Sequence, residues 1–254
     1  MERFVYADNS ATTPIIKSVI DEMLPFLEVK FGNPSSLYSI GREAKRAVEC
    51  ARERVAACIG ANPAEIFFTS GGSESDNWAI KEMAYYQMKK GKNHIITSNI
   101  EHHAVLHCVQ TLAKRGFDVT YIKVNQNGIV DPIDVENAIT DKTALVSIMY
   151  ANNEIGTIQP VDDIGRICRA RNVPFHTDAV QAVGHIKIDL SKQNIDMLSL
   201  SAHKFHGPKG VGALYVRKGI RINSFIDGGA QERGKRAGTE NTAGIIAMAA
   251  AIEH

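Results

Sequence analysis

The sequence predicts an α/β fold in which a mostly parallel sheet is sandwiched by helices. Short apolar runs alternate with amphipathic helical runs along the chain, which is typical of strands joined by helical crossovers. A chain of 254 residues is long enough to bury a sizeable core. Its composition, 44% hydrophobic and 22% charged, is that of an ordinary globular protein.

The predicted elements follow in chain order. A first amphipathic helix at 43–59 places four apolar residues on one face, namely Ala44, Val48, Ala51 and Val55. Apolar or β-branched runs predict strands at 66–69, 94–97, 118–124, 144–149, 174–177, 197–201 and 211–216. The stretches between them predict helices at 74–90, 101–115, 131–139, 161–171 and 242–254. The loop 227–241 is rich in glycine and charge, and its length suggests a function.

Charge and cysteine content exclude several classes of protein. The formal net charge is +1, so no overall field attracts the chain to nucleic acid or to a membrane surface. No stretch approaches the ~20 apolar residues of a membrane span, and the N-terminus is polar where a secretory signal needs an apolar run. The cysteines, Cys50, Cys58, Cys108 and Cys168, form no CxxC pair. Reduced thiols and a cytoplasmic location are therefore expected.

The loop after the first predicted strand is a candidate anion site. Ser70-Gly71-Gly72-Ser73 opens a helix, where the glycines allow close approach of a ligand and the unpaired amides favour a phosphate. The alternative is an ordinary glycine turn with Ser73 as the N-cap. The motifs GxGxxG and GxxxxGK[ST] are absent, which disfavours nicotinamide cofactors and ATP.

Two other loops carry candidate reactive side chains. Asp178 follows the strand at 174–177 and could cap a helix, hold a metal or pair with a cationic nitrogen. Lys204 lies among small residues and histidines, and burial would lower its pKa and make it a nucleophile; the alternative is a surface lysine. Pyridoxal phosphate needs a phosphate site, a lysine for its aldehyde and a carboxylate for its pyridine nitrogen. The three loops supply these groups at the carboxyl ends of strands, where ligands bind in such sheets.

Eight segments together resemble the cysteine desulfurases. They are 8–13 (DNSATT), 32–36 (GNPSS), 69–77 (TSGGSESDN), 101–105 (EHHAV), 152–156 (NNEIG), 176–181 (HTDAVQ), 201–204 (SAHK) and 233–239 (RGKRAGT). The resemblance is collinear over the whole chain. It implies the class V aminotransferase superfamily and the dimeric large-domain fold of fold type I pyridoxal-phosphate enzymes.

The resemblance also implies a role for individual residues. Lys204 would be the catalytic lysine that holds the cofactor as a Schiff base, and Asp178 would pair with the pyridinium nitrogen. His102, the second catalytic residue, would stack on the ring and move protons. The other cofactor-binding residues would be Gly72, Ser73, Asn153, Gln181, Ser201, His203 and Thr239. Of these, Thr239 would reach the phosphate of the partner subunit's cofactor.

A metal site is not predicted. His103 and His107 have the i, i+4 spacing of a zinc pair, but no third ligand with matching placement is evident in the sequence.

The resemblance further predicts the domain boundaries. Residues 1–15 would line the substrate site as part of a small domain, and 16–254 would form the large cofactor-binding domain. The family's C-terminal small domain, which carries a persulfide-forming cysteine on a mobile loop, is expected to be absent. None of the cysteines lies on a predicted loop of that kind. We therefore expect a truncated chain that does not turn over cysteine by itself.

The implied reaction takes sulfur from L-cysteine and gives L-alanine and a protein persulfide, for iron–sulfur cluster assembly or thiolation. The implied partners are a second copy of the chain in a homodimer and a sulfur-acceptor or scaffold protein, without direct contact to nucleic acid or membrane. Two alternatives remain open. One is a selenocysteine lyase or another class V pyridoxal-phosphate enzyme, and the other is a non-catalytic fragment that binds the cofactor or dimerises.

Overall fold

The computed structural model describes residues 5–254 and has the predicted α/β architecture. Its strands are β1 (Ile66–Thr69), β2 (His94–Ser98), β3 (Asp118–Ile122), β4 (Thr143–Ser147), β5 (Phe175–Asp178), β6 (Met197–Ser201) and β7 (Gly212–Val216). Its helices are α1 (Lys17–Met23), α2 (Pro25–Glu28), α3 (Ser39–Cys58), α4 (Gly72–Met88), α5 (His103–Ala113), α6 (Pro132–Ala138), α7 (Val161–Ala170), α8 (Gln231–Gly234) and α9 (Thr242–Ile252). Single turns of 3-10 helix span Pro63–Glu65 and Ala202–Lys204.

These strands form one seven-stranded sheet in the order β1-β7-β6-β5-β4-β2-β3. The strands from β6 to β3 are parallel, as predicted. β7 runs antiparallel to both of its neighbours, so that Gly212 pairs with Thr69 on one side and Ser201 on the other. β1 and β6 therefore point in the same direction, and their carboxyl ends lie at the same edge of the sheet as that of β5.

Apolar layers cover both faces of the sheet. Neighbouring residues of β4 belong to different layers, Val146 to one and Leu145 to the other, because successive strand side chains point to opposite faces. The first layer includes residues of α3, α7 and α9, and the second includes residues of α4 and α5. Helix α9 is buried from Ala243 to Ala251, as expected for a helix that is apolar all round.

Helix starts differ from the predictions at two places that matter for function. The helix predicted at 74–90 begins at Gly72, because Gly71 (φ 148°) turns the chain directly into it. The helix predicted at 101–115 begins at His103, because His102 caps it through Nδ1, which accepts a hydrogen bond from the amide of Ala104 at 3.1 Å. Helices α1 and α2 were not predicted, since each is short.

The predicted boundary at residue 15 stays a prediction. Residues 1–4 of the segment 1–15 lie outside the described residues. The described part runs without helix or strand to Lys17 and contacts the loop after β6, where the amide of Thr13 donates to the carbonyl of His203 at 2.9 Å. None of the helices in residues 5–254 combines the length and apolar character that a transmembrane span requires.

A buried ion pair anchors the loop between β7 and α9. Arg52 of α3 donates to both carboxylate oxygens of Glu232 at 2.8 Å, and the two side chains are 4% and 3% exposed. Glu232 also accepts a hydrogen bond from the amide of Phe68 at 2.9 Å, and Arg52 donates to the carbonyl of Ile66. These contacts hold Glu232 in a left-handed conformation (φ 44°) against β1.

Removing one partner of this pair should destabilise the chain. Glu232→Ala leaves the Arg52 guanidinium buried without its carboxylate, and we expect the free energy of unfolding to fall by about 3–5 kcal/mol. Urea denaturation of the variant measures this loss. Glu49→Ala is the matched control, because Glu49 contacts the same guanidinium at 3.3 Å but is 52% exposed and should lose at most ~1 kcal/mol. Equal losses in both variants would contradict the anchoring role.

Candidate active site

A cavity of about 510 Å³ opens at the carboxyl edge of the sheet. The loops after β1, β5 and β6 meet there, as the strand directions predict. Its lining contains every predicted cofactor-binding residue except Thr239, namely Gly72, Ser73, His102, Asn153, Asp178, Gln181, Ser201, His203 and Lys204. Thr239 is exposed on the loop before α9.

One end of the cavity is the N-terminus of α4, where the sequence predicts a phosphate site. Gly71 has φ 148°, a conformation that side chains disfavour, and a Cβ on Gly72 would lie 2.5 Å from Val180 Cγ2. Gly71 therefore permits the backbone conformation of this turn, and Gly72 avoids a clash with Val180 beside it. The first amides of a 17-residue helix point into this end of the cavity, and together with the helix dipole they favour an anion.

Lys204 lies on the 3-10 turn that follows β6. Its Nζ donates to the backbone carbonyls of Ser10 and of Ala11, the latter at 3.1 Å. Burial lowers the pKa of Lys204, although the negative charges of Asp178 and Asp8 oppose this change. A lowered pKa increases the uncharged fraction of the amine, which is the form that attacks a carbonyl carbon.

Asp178 ends β5 at the centre of the cavity wall and is 5% exposed. Its Oδ1 accepts a hydrogen bond from the amide of Val180 at 3.0 Å. Burial raises the pKa of Asp178, while the Val180 amide and the charges of His102 and Lys204 lower it. A cation placed beside this carboxylate would stabilise its charged form further.

The remaining polar groups surround these two side chains. Gln181 Nε2 donates to the carbonyl of Ser10 at 2.9 Å, and Asn153 Nδ2 donates to Glu154 at 2.9 Å. Since His102 Nδ1 accepts from Ala104, the other ring nitrogen carries the proton when the ring is neutral and remains free for a ligand. The roles that the resemblance implies for these residues stay predictions.

Sequence reasoning missed several groups at this site. Asp76 lines the cavity from α4. Two other buried polar side chains lie close to predicted residues in the sequence: His176 is two residues before Asp178, and Glu101 is directly before His102. The strand period of two could have identified His176, because residues i and i+2 share a face. Asp76 lies one helical turn after Gly72, which is the corresponding signal for a helix.

The cysteines lie on helices, as predicted: Cys50 and Cys58 on α3, Cys108 on α5 and Cys168 on α7. None of the four lines the cavity. Burial raises the pKa of Cys108 and of Cys168 to about 12, so both are neutral thiols. The rings of His103 and His107 lie 5.2 Å apart, and residues 5–254 contain no cluster of three or more side chains suited to a metal ion.

The buried carboxyl of Glu101 predicts a pH-dependent stability. Its pKa rises from 4.5 to about 8, mainly through burial and against hydrogen bonds from Ser98 and the amide of Met149. The unfolded chain loses this proton above pH 4.5 whereas the folded chain keeps it to about pH 8, so stability should fall as pH rises through this window. Glu101→Gln should reduce this loss of stability between pH 4.5 and about pH 8 by on the order of several kcal/mol. Urea midpoints at a series of pH values test this; an unchanged slope would contradict it.

The sequence of this chain is similar to a known protein family and to several curated proteins. The family model "Aminotransferase class-V" matches residues 5–254. A cysteine desulfurase IscS of Clostridium botulinum is 60% identical over 100% of this chain and 64% of its own length. One from Methanosarcina thermophila is 58% identical over 98% of this chain and 61% of its own length. The chain thus spans less than two thirds of these curated relatives.

Solved structures agree with the sequence comparison. A structure described as a NifS-like protein superposes with a TM-score of 0.96 at 49% identity, covering 98% of this chain and 68% of that one. A structure described as SspA in complex with cysteine has a TM-score of 0.95 at 45% identity, covering 98% of this chain and 72% of that one.

Proposed function

Because the chain belongs to the aminotransferase class-V family, we propose that it is the cofactor-bearing part of a pyridoxal-phosphate-dependent cysteine desulfurase. The observation that carries this proposal is the meeting of the Gly71-Gly72 helix start, Asp178 and Lys204 in one cavity. The cofactor has three chemically different ends, and each of these groups suits one of them.

The cavity fits the cofactor in size and in donor set. Its volume of about 510 Å³ lies in the ordinary range for small-molecule sites. The α4 amides, with Ser73, Ser201 and His203, would hold the phosphate, and Lys204 Nζ would bond the aldehyde carbon. Asp178 would keep the pyridine nitrogen protonated, and Gln181 with Asn153 would bind the ring edge. When bound, the cofactor would supply an electron sink for negative charge at the substrate Cα.

The proton transfers would belong to Lys204 and His102. Burial favours the uncharged amine of Lys204, which can then accept the substrate α-proton. The free ring nitrogen of His102 can give or take a second proton at the cavity mouth. Lys204 Nζ would first have to release its hydrogen bonds to the carbonyls of Ser10 and Ala11. The N-terminal segment would therefore influence when this amine can react.

The substrate we propose is L-cysteine, with L-alanine and a protein persulfide as products. The names of the relatives support it, since they describe cysteine desulfurases and a complex with cysteine. Homodimerisation, a sulfur-acceptor or scaffold partner, a role in iron–sulfur cluster assembly and a cytoplasmic location belong to the same proposal. A dimer would also give the exposed Thr239 a cofactor to contact.

Hydrogen exchange at the substrate Cα tests the proposal without requiring sulfur transfer. The chain, loaded with pyridoxal phosphate in D₂O, should exchange the α-hydrogen of L-cysteine and of L-alanine faster than free pyridoxal phosphate does. Exchange with neither amino acid in a folded, loaded chain would contradict the proposed activity. Loading that reaches no defined stoichiometry would contradict the proposed cofactor.

A further inference from the structure

Asp76 has an environment in which a charged carboxylate would be poorly stabilised. It lies one turn into α4, lines the cavity and is 1% exposed. Its Oδ1 has no hydrogen-bond partner among the described residues and lies 3.6 Å from His176 Nε2. An ionised oxygen there would lose its hydration without replacement, at a cost on the order of several kcal/mol. The neutral acid avoids most of that cost.

The nearby histidine cannot provide a compensating charge. His176 precedes Asp178 by two residues on β5, so both side chains lie on the same face of the sheet. Its ring is held by Ser147 at Nδ1 (2.9 Å) and by Ser199 at Nε2 (3.0 Å). Burial lowers the pKa of His176 to about 3, so the ring is neutral at ordinary pH.

Three buried carboxyl groups lie at or near this cavity, and burial raises the pKa of each of them. Burial, followed by the charges of Asp178 and Glu101, raises the pKa of Asp76, and only the nearby Ser199 hydroxyl opposes this. Glu101 is held neutral by burial in the same way. Asp178 differs because the cationic form of Lys204 and of His102 stabilises its charge, as does the Val180 amide. A single negative charge in the cluster should therefore reside on Asp178.

The elements packed against α4 offer Asp76 no other counter-charge. Their remaining ionisable side chains are His103, His107 and Cys108 on α5 and Tyr215 on β7. Both histidines are exposed and lie outside the cavity lining. Burial raises the pKa of Cys108 and of Tyr215, so both are neutral. On α4 itself, Glu74 is paired with Arg236, and the cation Lys81 does not line the cavity.

We propose that Asp76 is a positioning residue: a neutral carboxylic acid that leaves the negative charge of the cluster on Asp178, facing the cofactor's pyridine nitrogen. The effect of Asp76 on the cofactor rests on the proposed function, whereas the protonation of Asp76 does not. This role assigns a function to a side chain that binds neither phosphate nor aldehyde. It also predicts that Asn, which has the same shape and no charge, replaces Asp76 with little change.

Infrared spectroscopy of the cofactor-free chain tests the proton directly, because a protonated carboxyl has its own C=O stretching band. At pH 7, Asp76→Asn should remove one such band relative to the parent chain. Asp141→Asn, at an exposed position, should remove none. In Asp178→Asn the Asp76 band should titrate at lower pH, since the neighbouring charge is gone. This coupling also reports on the proton if Asp76→Asn does not fold. A band that Asp76→Asn leaves in place, or one that ignores Asp178→Asn, would overturn the proposal.

The loaded chain tests the effect on the cofactor. Asp76→Asn should keep the parent's absorbance–pH profile and a Kd for pyridoxal phosphate within about twofold of the parent's, whereas Asp178→Asn should shift both. A shift in Asp76→Asn as large as that in Asp178→Asn would mean that the charge resides on Asp76, against the proposal. Loss of the infrared band in a chain that takes up no cofactor would support the neutral acid and refute the proposed cofactor.

Discussion

Borohydride reduction of the chain loaded with pyridoxal phosphate is expected to place the label on Lys204 and on no other lysine. Lys204 is the lysine that lines the cavity, and burial there lowers its pKa and favours the reactive amine. Peptide mapping by mass spectrometry identifies the labelled residue. Lys204→Ala should reduce covalent labelling to background and slow α-hydrogen exchange by about 10²–10⁴-fold, the usual contribution of a positioned base.

Lys209→Ala is the matched control for this experiment. Lys209 lies five positions further along the same loop but is exposed and does not line the cavity. Its replacement should leave both the label and the exchange rate at the level of the parent chain. A label that remains in Lys204→Ala, or one that disappears in Lys209→Ala, would mean that the wrong lysine has been assigned.

Replacing Asp178 by Asn should leave some cofactor bound and remove most of the α-hydrogen exchange. The Asn side-chain oxygen can still accept the hydrogen bond from Val180, so the local fold should persist. What is lost is the negative charge that would keep the pyridine nitrogen protonated. We expect the barrier to rise by about 3 kcal/mol or more, which corresponds to at least ~100-fold in rate.

The measurement for Asp178→Asn is deuterium incorporation into L-alanine at saturating cofactor, followed by NMR. Asp141→Asn removes the same charge at an exposed position and should exchange at the parental rate. Exchange in Asp178→Asn equal to that of the parent would show that this carboxylate does not control the cofactor nitrogen.

The sequence predicted the parts of the site that lie at strand ends. Asp178 and Lys204 each follow an apolar strand, and the glycines at 71 and 72 precede a helix, so local patterns indicate them. Parallel strands then bring such loops to one edge without further information. This is why Gly72, Ser73, Asp178 and Lys204 line one cavity. The other lining residues that were expected were implied by the family resemblance and not by local patterns, namely His102, Asn153, Gln181, Ser201 and His203.

Contacts between distant parts of the chain could not be predicted in this way. Nothing in the apolar run at 211–216 reveals that β7 reverses direction, because a buried strand has the same pattern in either orientation. The pairing of Arg52 with Glu232 joins residues 180 positions apart that would each be read as surface charges. Asp76 was missed because a polar residue in a helix is ordinarily exposed.

The position of β7 has a consequence for how the protein is made. Within residues 5–254, β1 has no strand partner other than β7, which lies far along the chain. β1 therefore cannot join the sheet until the ribosome has released the segment that ends at Val216. Until then, the apolar strand that precedes the glycine turn stays unpaired on a nascent chain. Such long-range pairing is slow, and it leaves apolar surface and an unpaired strand edge exposed in the meantime. Chaperone demand during synthesis should therefore peak before β7 emerges, and the nascent chain should become able to capture its cofactor only afterwards.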